Sequence, residues 1–395
     1  MKTRLFTPGP TQVPNRAFAA TADALLHPRS EELRELLTEV SQKLKAFFKT
    51  EHEVLTLTAS GTGAMEAAVV NFLRHGEKVI TLEGGKFGQR WSEIARLYGL
   101  HVVSLELPWG STIESRRLSA LVRQHPDAAA VFLTHCETST GVAHDIEALA
   151  AAVHQQSDAL VIVDGISAVG ILPFYKDQWA IDVCVAGSQK GAMSPPGLAF
   201  VAISERGWRK AQASNLPRYY FDFLKARDAL ADGYTPWTPA VTLLGGLRES
   251  LSMILDAGLE RCWERYARLA HGTHVAVEAI GLQLFAKRPS DSLTAVKVPD
   301  KIDGRVLVKR LLDDYGVRVA GGQDQLKGKI FRVAHMGYTD HLDMIAFASA
   351  LELALRDCGW PLELGTAVAA MQVAYAEHAD SGNAHAVTSI VPSAE

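Results

Sequence analysis

The stretch Val183–Ser204, VCVAGSQKGAMSPPGLAFVAIS, sets a single lysine, Lys190, between two apolar runs. Both runs read as buried strands. Gly187, Ser188 and Gly191 keep the surroundings of Lys190 small, and Pro195-Pro196-Gly197 stiffens the turn back. Lysines ordinarily cover solvated faces, so one at a buried strand end needs a chemical reason. Working outward, further strand-like runs are VLTLTA (54–59), KVITLE (78–83), HVVSLEL (101–107), AAAVFLTH (128–135) and ALVIVDG (159–165), followed by IDVCVAGS (181–188) and LAFVAIS (198–204). Helix-like segments AMEAAVVNFL, QRWSEIARLYG, RRLSALVRQH and DIEALAAAVHQQ lie between most of them. That alternation predicts an α/β fold with a mostly parallel seven-stranded sheet covered on both faces. The last two strands have no helix between them, which predicts an antiparallel or irregular insertion around Lys190.

Upstream, Ser30–Phe48 has helical apolar spacing. Downstream, 217–239 is aromatic and turn-rich and receives no assignment. Residues 240–258 and 259–281 read as long helices. LQLFA, LTAVKVP, VRVAGG and KIFRVAH then alternate with helices at 304–315 and 339–357, a separate small α+β unit. The expected organisation is an N-terminal arm (1–16), a large domain (17–258), a small C-terminal domain (259–360) and an extension with tail (361–395). Residues 377–395 read as a loose polar tail.

The chain has 395 residues, 48% hydrophobic and 21% charged, with a net charge of −4, which is ordinary globular composition. No basic excess argues for nucleic acid or an anionic membrane. No apolar run approaches the roughly 20 residues of a membrane helix, and MKTRLFTPGPTQVP carries no signal-peptide core. Cys136, Cys184, Cys262 and Cys358 are scattered without a CxxC or a His/Cys cluster. Neither disulfides nor a metal site are expected, and reduced thiols fit a cytoplasmic location.

In VIVDGIS (161–167), Asp164 ends an apolar strand, where open α/β sheets present ligand-binding residues. Alone it reads as well as a cap or a paired loop acid. Lys190 ends the next strand, so the two groups meet at one rim. A Schiff-base lysine and a carboxylate for a pyridinium nitrogen are what pyridoxal phosphate requires. A phosphate also needs a cradle, and TASGTGAMEAAVVNFL (58–73) runs strand, glycine turn, helix N-terminus. It is neither a P-loop nor a dinucleotide fingerprint.

Seven strings now stand in one order: ASGTGAMEAAVVN, GGKFGQR, FLTHCETSTGV, VDGISAVG, GSQKGAMSPPG, LRESL and GKIFRVAHMG. Together they resemble the class V, fold-type I pyridoxal-phosphate aminotransferases of the alanine–glyoxylate and serine–glyoxylate group, over about residues 5–360. The resemblance implies that Lys190 carries the cofactor and Asp164 pairs with its ring nitrogen. It implies that Thr62, Gly63 and Ala64 hold the phosphate with Gln189, Ala64 through its backbone alone. Thr138 would bond the 3-hydroxyl, and Phe87 would stack on the ring. Thr238 would reach the neighbouring subunit's phosphate in a homodimer with shared active sites, with Tyr234, Thr235 or Trp237 as possible helpers. Arg332 would clamp the substrate α-carboxylate and Gly9 would border the same cavity. His135 reads as a supporting residue and not a base.

The function so implied is ping-pong transamination from a small L-amino acid (serine, alanine or aspartate) to a small 2-oxo acid, glyoxylate first. A lyase or desulfurase on the same fold and a non-catalytic α/β nucleotide-binding protein are the alternatives. The first needs a mobile C-terminal cysteine, which 317–335 lacks.

Overall fold

The computed structural model describes residues 2–23 and 25–380. Its centre is a seven-stranded sheet. From edge to edge the strands are Val54–Thr58, Leu198–Ile203, Val183–Gly187, Leu160–Asp164, Ala130–Thr134, Lys78–Glu83 and His101–Glu106. Leu198–Ile203 runs antiparallel to both neighbours, and the remaining pairings are parallel. Of the two arrangements expected around Lys190, the antiparallel pair is the one present. Every residue of the four strands from Leu198–Ile203 to Ala130–Thr134 is buried. Alternate residues feed different cores. Val131, Leu133, Val161 and Val163 join one cluster, while Ala130, Phe132, Leu160 and Ile162 join the other. Continuous apolar strands follow from that two-sided burial.

Helix Glu31–Phe48 shows how the flanking layer is specified. Ser30 caps it by accepting from the Leu33 amide at 3.3 Å, and Glu31 and Glu32 occupy the first turn. Leu33, Leu36, Leu37, Val40, Leu44, Phe47 and Phe48 form its buried stripe. Lys49, in the left-handed region at φ 52°, ends it. Leu44 is fully buried. Leu44→Ala is expected to cost about 2–5 kcal/mol, read as a lower midpoint in thermal or urea unfolding. An unchanged midpoint would contradict this packing.

The chain turns at Gly258 (φ 88°) between helices Val241–Ala257 and Leu259–Ala279. Beyond it, Gln283–Leu284, Leu293–Lys297, Ile330–Ala334 and Ala320–Gly321 form a small antiparallel sheet in that order. The stretch read as one strand, VRVAGG, serves two sheets. Ala320–Gly321 joins the small sheet, whereas Val317–Arg318 pairs in parallel with Arg4–Leu5 of the N-terminal arm. The Ala334 amide also donates to the Phe6 carbonyl at 2.8 Å, and Phe6 is buried. The arm is thus laced to the small sheet before it crosses the rim of the large one.

Unassigned in the sequence, 217–239 contains the helix Phe223–Ala231, capped by Asp222. Residues Thr366–Asp380 form a helix against Leu259–Ala279 and His341–Asp357, so it runs into the stretch read as loose tail from 377. The rest of that tail, 381–395, lies outside the described residues. Among the described residues, no helix is long and apolar enough to cross a membrane, and no cluster of His, Cys, Asp or Glu is arranged to hold a metal.

Candidate active site

Three parallel strands deliver their C-terminal ends to one rim. Thr134 pairs with Asp164, and Asp164 with Val185 two residues before that strand stops at Gly187. Asp164 is almost wholly buried, and its Oδ1 accepts from the Ile166 amide at 2.8 Å. Burial pushes its carboxyl up to about 7, against the pull of that amide and of the Lys190 and Arg90 charges. Lys190 follows in the turn to Leu198. Ser188 closes that turn, donating from Oγ to the Pro195 carbonyl at 2.6 Å. Burial pushes the Lys190 ammonium down to about 8, with Cys136 and Asp164 opposing. Lys190 and Asp164 therefore sense one another, as neighbouring strand ends require.

The N-terminal arm covers the lysine. Lys190 Nζ donates to the Pro8 carbonyl, and the Thr11 amide donates to the Gln189 carbonyl at 3.3 Å. Gly9 has φ 143°, and a Cβ there would lie 2.6 Å from Lys190 Cε and Nζ. Only glycine lets the arm pass this close.

The turn after Val54–Thr58 opens beside this pair. Helix Gly61–Phe72 begins there without a side-chain cap. Its first amides have no acceptor within the helix. The Ala64 amide already donates to the Ser60 carbonyl at 3.2 Å, so the cradle rests on the amides before it. A Cβ on Gly61 would lie 2.6 Å from Ile166 Cδ1, and one on Gly63 3.0 Å from Ala59 Cβ. A Cβ on Gly187 would lie 3.2 Å from Gln189 Oε1 and 3.8 Å from the Gly61 amide nitrogen. Gln189 Oε1 is buried without a hydrogen-bond partner. Rotating that amide presents N–H at the same place. Unclaimed amides, glycine spacing and an orphaned carboxamide suit a phosphate. With Lys190 and Asp164 alongside, the residues fit pyridoxal phosphate.

Phe87 and Thr138 are linked to these segments by side-chain contacts. Arg90 donates to Thr62 Oγ1 at 2.8 Å, and its guanidinium lies 4.8 Å from the Phe87 ring centroid. Thr138 Oγ1 donates to Ser167 Oγ at 2.8 Å. Arg332 reaches in from Ile330–Ala334. Its Nε and Nη2 donate to the Gly321 carbonyl at 3.1 and 2.7 Å, and Nη1 donates to the Thr138 carbonyl at 2.9 Å. A guanidinium has five N–H groups, so each terminal nitrogen keeps one for an incoming carboxylate. Burial pushes Arg332 down to about 10, opposed by Glu137, and it stays charged at neutral pH.

Thr238 is the exception within one chain. It lines a separate hollow with Tyr220, Asp222 and Trp237 against Thr56–Thr58. The Trp237 indole donates to the Tyr220 carbonyl at 2.9 Å, Thr235 Oγ1 donates to the Trp237 carbonyl at 2.6 Å, and Tyr234 stacks under Arg34. None of these reaches Lys190. His135 is buried between Phe174 and Trp179, where burial pushes it down to about 3 and holds it neutral.

Sequence reasoning passed over Glu137, Arg90 and Ser167. Glu137 and Arg90 lie inside strings already singled out, ETSTG and GGKFGQR. For Glu137, a charged residue just after an apolar strand was the available signal.

A family model described as aminotransferase class-V matches residues 5–337. The chain is 39% identical to the soluble hydrogenase small subunit of Synechococcus sp., over 91% of this chain and 94% of that protein. It is 36% identical to L-aspartate–glyoxylate aminotransferase of Paracoccus denitrificans (94% and 96% covered). It is 35% identical to serine–glyoxylate aminotransferase of Methylorubrum extorquens (93% and 95%). Among solved structures, a subgroup IV aspartate aminotransferase from Thermus thermophilus superimposes with a TM-score of 0.85 at 34% identity, covering 90% of this chain and 99% of that one.

Proposed function

The chain belongs to the class-V aminotransferases, and from that premise we propose that it moves an amino group from a small L-amino acid to glyoxylate by ping-pong chemistry. Serine, alanine and aspartate are the donors considered. The enzyme is an aminotransferase of fold type I, and its cofactor is pyridoxal 5′-phosphate. Glyoxylate is favoured as acceptor because two relatives similar over nearly their whole length are named for it. The observation that carries the reading is the placement of Asp164 at the end of one strand and Lys190 just past the end of its parallel neighbour, beside a glycine-opened helix start.

When bound, the cofactor supplies an aldehyde that can carry an amino group and a ring that withdraws electrons. The protein does the rest. Lys190 Nζ would hold the cofactor covalently and, once freed by the substrate, would serve as the base that takes the substrate Cα proton and the acid that gives it back. Asp164 would keep the ring nitrogen protonated. The amides of Thr62 and Gly63, with the Gln189 carboxamide, would hold the phosphate. Phe87 would pack on the ring, and the Thr138 hydroxyl would bond the 3-hydroxyl. Arg332 grips the α-carboxylate shared by both substrates, and the backbone of Gly9 walls the cavity. Thr238 serves the phosphate site of a second copy, which makes the working unit a homodimer.

A desulfurase needs a reactive thiol. Cys136, the cysteine that senses Lys190, is buried and its thiol is pushed up to about 11. Half-reactions test the transaminase reading. Serine, alanine or aspartate alone is expected to bleach the yellow holoenzyme, and glyoxylate alone to restore the colour. Bleaching by none of the three would remove the donor class. Bleached enzyme that glyoxylate leaves colourless would remove the acceptor.

A further inference from the structure

We propose that Glu137 is a positioning residue of this active site: with Ser139 it ties the start of the Phe87 helix to the Thr138 loop. The proposal rests on the reading that Phe87 and Thr138 both face the cofactor. Helix Lys86–Leu97 starts after Gly85 and has no side-chain cap of its own. Its orphan amides are claimed by a segment about 50 residues away. The Lys86 amide donates to Ser139 Oγ at 3.0 Å. The Phe87 amide donates to both carboxylate oxygens of Glu137 at 3.1 and 3.3 Å, and the Gly88 amide to Oε2 at 2.9 Å. Ser139 donates to Glu137 Oε1 from its amide at 3.1 Å and from Oγ at 2.5 Å.

Glu137 is 1% exposed. A carboxylate this deep is costly unless its lone pairs are filled. Here amide and hydroxyl donors fill them, and the positive end of a helix faces the charge. Space is reserved as well, since a Cβ on Gly85 would lie 2.5 Å from Glu137 Cγ and Cδ. The next residue, Thr138, accepts from Arg332 through its carbonyl and donates to Ser167 through its hydroxyl. One side chain therefore sets Phe87 against the loop that also orients Thr138 and the substrate-facing arginine. A cap needed only for helix stability could be an N-cap Ser or Asp at position 85. Glu137 instead spans two site-bearing segments, which a local cap cannot do.

The test compares wild type, Glu137→Gln, Phe87→Ala and the double variant. Apoprotein of each is titrated with pyridoxal phosphate, following visible absorbance and the circular dichroism induced in the cofactor band. Glutamine keeps the shape but turns an N–H₂ toward the amides. Cofactor binding is expected to weaken about 10- to 100-fold, with altered induced dichroism and native far-ultraviolet dichroism. The double variant is expected to lie within about 2-fold of the weaker single variant, because both changes act through Phe87. Fully additive losses, or a folded Glu137→Gln protein with wild-type affinity and dichroism, would overturn the proposal. Should Glu137→Gln fail to fold, Ser139→Ala replaces it in the cycle. The same non-additive pattern, smaller in size, supports the proposal, and wild-type behaviour overturns it. A wild-type protein that takes up no cofactor sinks the underlying reading first.

Discussion

Lys190→Ala is expected to lower transamination by at least about 10²- to 10⁴-fold, the range a positioned proton-transfer group contributes. The variant protein is expected to fold, since it loses a charged terminus that burial already disfavours. Any cofactor it binds is held only by hydrogen bonds and packing, so borohydride leaves nothing attached. The wild type adds a pH signature. Only the neutral amine attacks a carbonyl, and burial lowers the Lys190 ammonium from its ordinary 10.5 to about 8. Covalent uptake by apoprotein is expected to speed up as pH rises toward about 8 and to level off above it. A rate that climbs steadily to pH 10 would show that the lysine is not desolvated.

Arg332→Gln is expected to raise KM for both the amino donor and the oxo acid by on the order of 10²- to 10⁴-fold. Two charged hydrogen bonds to the carboxylate, each worth about 1.5–3 kcal/mol, are lost. Both substrates share the carboxylate, so both halves of the reaction suffer. Cofactor uptake is expected to suffer less than substrate binding, because Arg332 meets the cofactor-facing segments only at the Thr138 carbonyl and not at the phosphate turn. Steady-state kinetics in each substrate decide it. An unchanged KM for either one would remove Arg332 as the clamp.

Much of the large domain was legible because its strands are buried on both faces. A run such as VFLT or LVIVD has one reading when glycines and aspartates bound it. Strand ends then placed Asp164 and Lys190 together without any structure. The parts that stayed hidden depend on contacts distant in sequence. VRVAGG has the pattern of one strand, and only the N-terminal arm explains why Val317–Arg318 leaves the small sheet. Phe223–Ala231 is short and preceded by Tyr-Tyr-Phe, so its Asp222 cap was the lone helical signal. Glu137 was invisible for a related reason. Its partners, Lys86 to Gly88, are backbone amides, and amides carry no side-chain signature. Thr238 matched the resemblance yet lies apart from Lys190 within one chain.

Borohydride reduction of the cofactor-loaded protein, followed by mass mapping of its peptides, decides whether Lys190 carries the cofactor. One reduced cofactor per chain, attached to Lys190, is expected. Attachment elsewhere, for example at the fully buried Lys176, or no attachment at all, would contradict that assignment.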